Sequence, residues 1–172
     1  GVAFRTAVQH PDRVGKLVMA SAHIRSDAIY AEMRQQQGQV NAAAEAFMRD
    51  TPMYQLYQRV APRPGDFGRL LDKIGDAMAQ GFDFSADVPG LRVPTLIVCA
   101  DADMAPPSHY VEVFAQLDGG LRDGGWMGEN RPRGGHALAI LPGLTHYNIV
   151  DSPLFAATVL AFLDEPAPGN AG

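Results

Sequence analysis

Apolar positions in this chain fall into three short unbroken runs separated by stretches with helical spacing. Val2 to Gln9 reads as the end of a helix that should stop at His10, because the residue before Pro11 disfavours helical geometry. Leu17-Val18-Met19-Ala20 follows the turn Pro11-Asp12-Arg13 and does not alternate with polar residues, the pattern of a strand buried on both faces. Asp27 to Arg49 is rich in Ala, Gln, Glu and Met, all good helix formers. Phe67, Leu70, Leu71, Ile74 and Met78 lie on one face of a further helix, with Pro52, Pro62 and Pro64 as punctuation before it.

Pro94 to Ala100 is the clearest strand, followed by Asp101-Ala102-Asp103 and Pro106-Pro107. Tyr110, Val113, Phe114 and Leu117 then give a helix its apolar side. Residues 118–135 hold seven glycines, together with Trp126, Arg131 and Arg133. They lack the strand-then-helix context of a phosphate loop and read as a solvated excursion. Ala137 to Leu141 is a third strand, which Pro142-Gly143 should end. Ser152 and Pro153 announce a last helix with Phe155, Val159, Phe162 and Leu163 on its apolar side.

Buried strands that alternate with helices define the α/β class with a parallel sheet and flanking helices. The expected layout is a core from 1–25 and 91–164, a helical insertion at 26–90 and a disordered tail at 165–172. Ligands of such sheets bind beyond the C-terminal ends of the strands. Asp103 and His146 are the polar residues that stand there, each just past a strand. A carboxylate beside an imidazole can activate a nucleophile. The ring takes the nucleophile's proton and passes it to the leaving group, and the acid holds the ring's tautomer and stabilises the imidazolium. Asp101 is the rival acid and Asp27 a third candidate.

Composition narrows the partners. The chain has 172 residues, 47% hydrophobic and 19% charged, within the range of globular proteins. A net charge of −5 with no concentrated basic face argues against nucleic acid. No apolar run approaches the roughly 20 residues of a membrane helix, so no membrane partner is expected. One cysteine, Cys99, allows no internal disulfide and fits a reducing, cytoplasmic setting; it reads as a small buried hydrophobe. His10, His23, His109, His136 and His146 offer no pair with metal-ligand spacing on one helix.

Several of these segments resemble one family in chain order. His10-Pro11-Asp12-Arg13-Val14 with Lys16-Leu17-Val18 is similar to the link between nucleophile helix and next strand in the α/β-hydrolases. Pro94 to Val98 with Asp101-Ala102-Asp103 resembles the strand whose end bears the triad acid, and Asp103 matches that acid. Leu141-Pro142-Gly143 with His146 resembles the last strand and its histidine. The order, acid before histidine, agrees with the family. The resemblance runs from Gly1 to about Leu163 and places the helical insertion where the family commonly carries a cap. It implies a partial α/β-hydrolase fold.

Two departures stand out. Ala100 occupies a position where the family usually has glycine, a change the turn should tolerate. No G-x-S-x-G elbow exists: Ser21, Ser26, Ser85, Ser108 and Ser152 all lack it. Gly1 resembles a glycine just beyond that elbow, and no capping residue precedes Val2. The expectation is a nucleophile and oxyanion donors upstream, and a chain that is inactive alone.

The resemblance implies hydrolysis of an ester or carbon–carbon bond in a small, mainly apolar substrate, with no cofactor. Met33, Met48, Met53, Tyr54, Tyr57 and Met78 could line its pocket or simply pack the insertion. An epoxide or haloalkane hydrolase with an aspartate nucleophile, or a non-catalytic binding or scaffold protein, are the alternatives. Oligomeric state is open.

Overall fold

In the computed structural model, which describes residues 1–130 and 134–166, three strands form one parallel sheet. Strands β1 (Leu17–Ala20), β2 (Thr95–Ala102) and β3 (Ala137–Thr145) lie in the order β1-β2-β3. Leu17 pairs with Thr95 and Ala20 with Val98; on the other side Leu96 pairs with Ala137 and Ala100 with Leu141. The strands lack alternation because the central one is covered on both faces: Leu96, Ile97, Val98, Cys99 and Ala100 are all at most 2% exposed.

The chain divides into two compact units. One joins Gly1–Ala28 to the described part of Asp83–Gly172; the other is Ile29–Phe82. The first unit contains the sheet, α1 (Val2–Gln9), α6 (Pro107–Gln116) and α7 (Pro153–Asp164). Helix α1 ends where His10-Pro11 requires. Helix α6 is the crossover between β2 and β3 and buries Tyr110 and Val113. Ser152 caps α7 by accepting from the Leu154 amide, with Pro153 in the first turn. Phe162, Phe155 and Val159 of α7 pack with Leu96, Val98, Ala100, Leu141 and Ile149. Leu163, expected on the same side, is instead 44% exposed at the helix end.

Lys16 ties the two ends of this unit together. Its Nζ donates to the carbonyls of Phe162 (2.7 Å) and Leu163 (2.8 Å), and to that of Glu165, at the negative end of the α7 dipole.

The segments on either side of the second unit also belong here. The Phe84 amide donates to the Ile24 carbonyl at 2.9 Å, Arg25 bridges to Asp83, and Arg5 pairs with Asp87.

Strand β3 differs from its sequence reading, which ended it at Pro142-Gly143. It continues to Thr145 through a bulge, with register shifting between Ala100/Leu141 and Ala102/Thr145. Proline has no amide to pair, and Gly143 takes φ +71°, which favours glycine. The freed amides of Gly143 and Leu144 donate to the Asp101 carboxylate at 3.0 and 3.3 Å.

The second unit holds α2 (Ala31–Gln37), α3 (Glu45–Met48), α4 (Pro52–Val60) and α5 (Phe67–Gln80). The helical pattern from Asp27 to Arg49 is broken into short pieces. Gly38 closes α2, and Asn41 caps a single turn at Ala42–Ala44 by accepting from the Ala43 amide. Phe67 meets Tyr54 and Tyr57 edge-on, at 4.9 and 5.1 Å between ring centres. Phe67 and Leu71 are buried, whereas Met78, expected on the same face, is 42% exposed near the end of α5.

The glycine-rich stretch turns through positive φ at Gly120, Gly125 and Gly128 and leaves Trp126 97% exposed. Arg131, Arg133 and the tail beyond Pro166 lie outside the described residues.

Candidate active site

The carboxylate of Asp103 stands one residue past β2, and its side chain is 0% exposed. A buried carboxylate must have its lone pairs satisfied by protein donors. Four donors do so here, two to each oxygen. Oδ1 accepts from the Met104 amide at 2.8 Å and meets His146 Nδ1 at 3.0 Å. Oδ2 accepts from the Ser21 hydroxyl at 2.5 Å and the Ala100 amide at 3.1 Å. Ala100 sits within regular β2 and takes no positive φ, which is why a side chain is tolerated where glycine was expected.

His146 is the first residue after β3. Its loop is held by Asn148, whose Oδ1 accepts from the Thr145 amide at 2.7 Å and from the Thr145 hydroxyl at 3.1 Å. With Asp103 a carboxylate acceptor, the His146 proton on that side resides on Nδ1, which leaves Nε2 as the basic nitrogen. The histidine side chain is 34% exposed, and its ring is held at Nδ1 by the buried carboxylate.

The rival acids are engaged elsewhere. Asp101 satisfies the β3 bulge, and Asp27 pairs with Arg25 at 3.0 Å. Cys99 is fully buried. Burial, then the charges of Asp103 and Asp101, push its thiol up to about 12, so it is inert as a nucleophile. Among the described residues no group of three His, Cys, Asp or Glu side chains is placed to hold a metal ion, and no helix is long and apolar enough to cross a membrane.

Two further histidines have lowered proton affinity. His23 has its proton affinity lowered by burial, then by the nearby charge of His146 and of the Gly1 amino group, against a smaller opposing effect of Asp103. His109 is 3% exposed, and its Nε2 accepts from the Ile24 amide at 3.3 Å. Burial, then the charge of Arg25, lower its affinity for a proton.

Sequence reasoning missed Ser21. It carries no elbow motif, and its contact with Asp103 spans 82 residues. A hydroxyl directly after a strand that neighbours the acid's strand is the signal that was available. The methionines of the second unit do not gather into one buried lining: Met53 is 64% and Met78 42% exposed, while Met33 and Met48 are half-buried.

No family model and no curated protein matches this sequence. Solved structures do. An enol-lactonase from Burkholderia xenovorans is similar at 21% identity and TM-score 0.56, over 95% of this chain and 61% of that one. An α/β-hydrolase enzyme from a Medee basin deep-sea metagenome library matches at 19% identity and TM-score 0.61, over 99% and 64%. A meta-cleavage product hydrolase from Pseudomonas fluorescens matches at 17% identity and TM-score 0.53, over 95% and 60%. The parallel sheet and its flanking helices are therefore part of an α/β-hydrolase fold. The chain spans about three-fifths of the length of these structures.

Proposed function

We propose that this chain supplies the acid and the histidine of a hydrolase triad, Asp103 and His146, to a nucleophile carried by residues preceding Gly1. The observation that carries the reading is the 3.0 Å contact between a fully buried carboxylate and the Nδ1 of a partly exposed imidazole, at the ends of adjacent parallel strands.

In this reading Nε2 of His146 takes the proton of a serine hydroxyl as its oxygen attacks the substrate carbonyl. Asp103 stabilises the resulting imidazolium. The ring returns the proton to the leaving group, and a water molecule repeats the cycle on the acyl-enzyme. The substrate class is a small, mainly apolar ester or a compound with a hydrolysable carbon–carbon bond, in keeping with the lactonase and the meta-cleavage product hydrolase among the structural neighbours. The helical unit Ile29–Phe82 serves as the cap.

The test combines sequence and turnover. The protein including the residues upstream of Gly1 should carry a serine in a tight strand-to-helix turn. It should hydrolyse an activated ester, and His146→Ala should abolish this. Residues 1–172 alone should show no turnover above background, having neither nucleophile nor oxyanion donors. An aspartate at the turn would replace ester chemistry by displacement at an epoxide or alkyl halide, and glycine or alanine there would overturn the enzyme reading. Turnover by residues 1–172 that His146→Ala removes would overturn the upstream nucleophile.

A further inference from the structure

We infer that Ser21 is a positioning residue for the acid: its hydroxyl holds Asp103 in the orientation that meets His146. The inference rests on the hydrolase reading for its kinetic consequence, though not for its structural one.

The geometry is a relay across three adjacent strand ends. Ser21 directly follows β1, Asp103 stands just past β2 and His146 directly follows β3. Pairing of Ala20 with Val98, and donation from the Ser21 amide to the Val98 carbonyl at 2.8 Å, bring the end of β1 alongside β2. At that point the backbone turns left-handed, with Ser21 at φ +46°. Side chains other than glycine and asparagine rarely adopt this conformation, and it redirects the serine out of the strand's alternation. Ser21 is 7% exposed, and its hydroxyl reaches Asp103 Oδ2 at 2.5 Å, within the range of a charge-assisted O–H···O bond.

The consequence follows from how a carboxylate can rotate. The Met104 amide and His146 Nδ1 hold Oδ1. Among the described residues, Oδ2 accepts from Ser21 and Ala100. Without the hydroxyl, Oδ2 keeps the Ala100 amide and Oδ1 the Met104 amide, and the shortest of the four contacts that fix the carboxylate's rotation about its own axis, and with it the 3.0 Å contact to Nδ1, is lost. Ser21 would touch neither substrate nor nucleophile; it acts through Asp103.

Ser21→Ala removes the hydroxyl and keeps the strained backbone, whereas Ser21→Gly removes the hydroxyl and relieves it. The first readout needs no activity: exchange of the His146 Nδ1 proton with water, followed by NMR in residues 1–172. Both variants should exchange faster by about 10- to 100-fold, the worth of one hydrogen bond to a charged acceptor. In the longer protein both should lower kcat by a similar factor with KM within about twofold, because substrate binding is untouched. An unchanged exchange rate in either folded variant overturns the inference, and so does recovery in Ser21→Gly alone, which would assign the effect to backbone strain. If the longer protein has no turnover in any form, the hydrolase reading fails and the exchange measurement still decides the role of Ser21.

Discussion

Replacing Asp103 by asparagine changes one atom and should cost more than its size suggests. The side chain is fully buried, so no water can repair a lost bond. The amide offers one acceptor and one donor group to a site where four donors converge. If the nitrogen takes the place of Oδ2, it faces the Ala100 amide, while Ser21 can turn its hydroxyl to accept. If it takes the place of Oδ1, it faces the Met104 amide, and His146 can accept only by moving its proton to Nε2. Each orientation sets one backbone N–H against another N–H. A buried donor left without an acceptor costs about 1–3 kcal/mol. At about 2 kcal/mol of urea dependence per molar, the unfolding midpoint should fall by about 1 M. The assay is equilibrium urea unfolding followed by circular dichroism, with NMR of the His146 ring nitrogens to read the tautomer. On the proposed triad, a proton trapped on Nε2 should lower kcat by about 10⁴-fold in a form that carries the nucleophile. A midpoint within experimental error of the parent would refute the four-donor account of this carboxylate.

Two further outcomes follow from polar groups outside the pair. Lys16→Met removes the cation that closes the end of α7 and lies 5.2 Å over the Phe162 ring. It should destabilise the chain by about 1–2 kcal/mol and raise amide exchange in the last turn of α7, so protection unchanged there would argue against the cap. Acid should also weaken the fold, because burial lowers the proton affinity of His23, His109 and His136 below the ordinary histidine value of 6.5. The unfolded chain then binds more protons than the folded one. Their stabilisation is complete above that value and is lost as pH falls from it through the lowered folded values. Unfolding midpoints at about pH 7.5 and 5.5 should differ, and His109→Gln, whose Oε1 can still accept from Ile24, should reduce the difference. Equal midpoints in the parent protein would contradict this.

The sheet was legible in the chain because strand burial is a local property of the residues. Leu17 to Ala20, Thr95 to Ala100 and Ala137 to Leu141 are apolar runs too short for helices, and intervening helical segments force parallel pairing. Asp103 and His146 could be singled out for the same reason, as polar residues placed just after such runs. Helix boundaries with a chemical marker were equally readable: Pro11 after α1, and Ser152-Pro153 before α7.

Tertiary structure decided what depends on partners far along the chain. Asp101 and Asp103 look alike in sequence. Only the register of β2 and β3 shows that one carboxylate completes a bulge 42 residues away while the other meets His146 across 43. The strand that Pro142-Gly143 should have ended continues because that distant carboxylate accepts its freed amides. Ser21 carried no motif at all. Its contact exists because a left-handed turn after β1 aims a short side chain at a neighbouring strand end, and backbone reversal and cross-strand distance are set by the assembled sheet. Periodicity encodes which face of an element is buried, but a side-chain hydrogen bond also needs a position and a direction from both partners, and those arise only when the strands have paired.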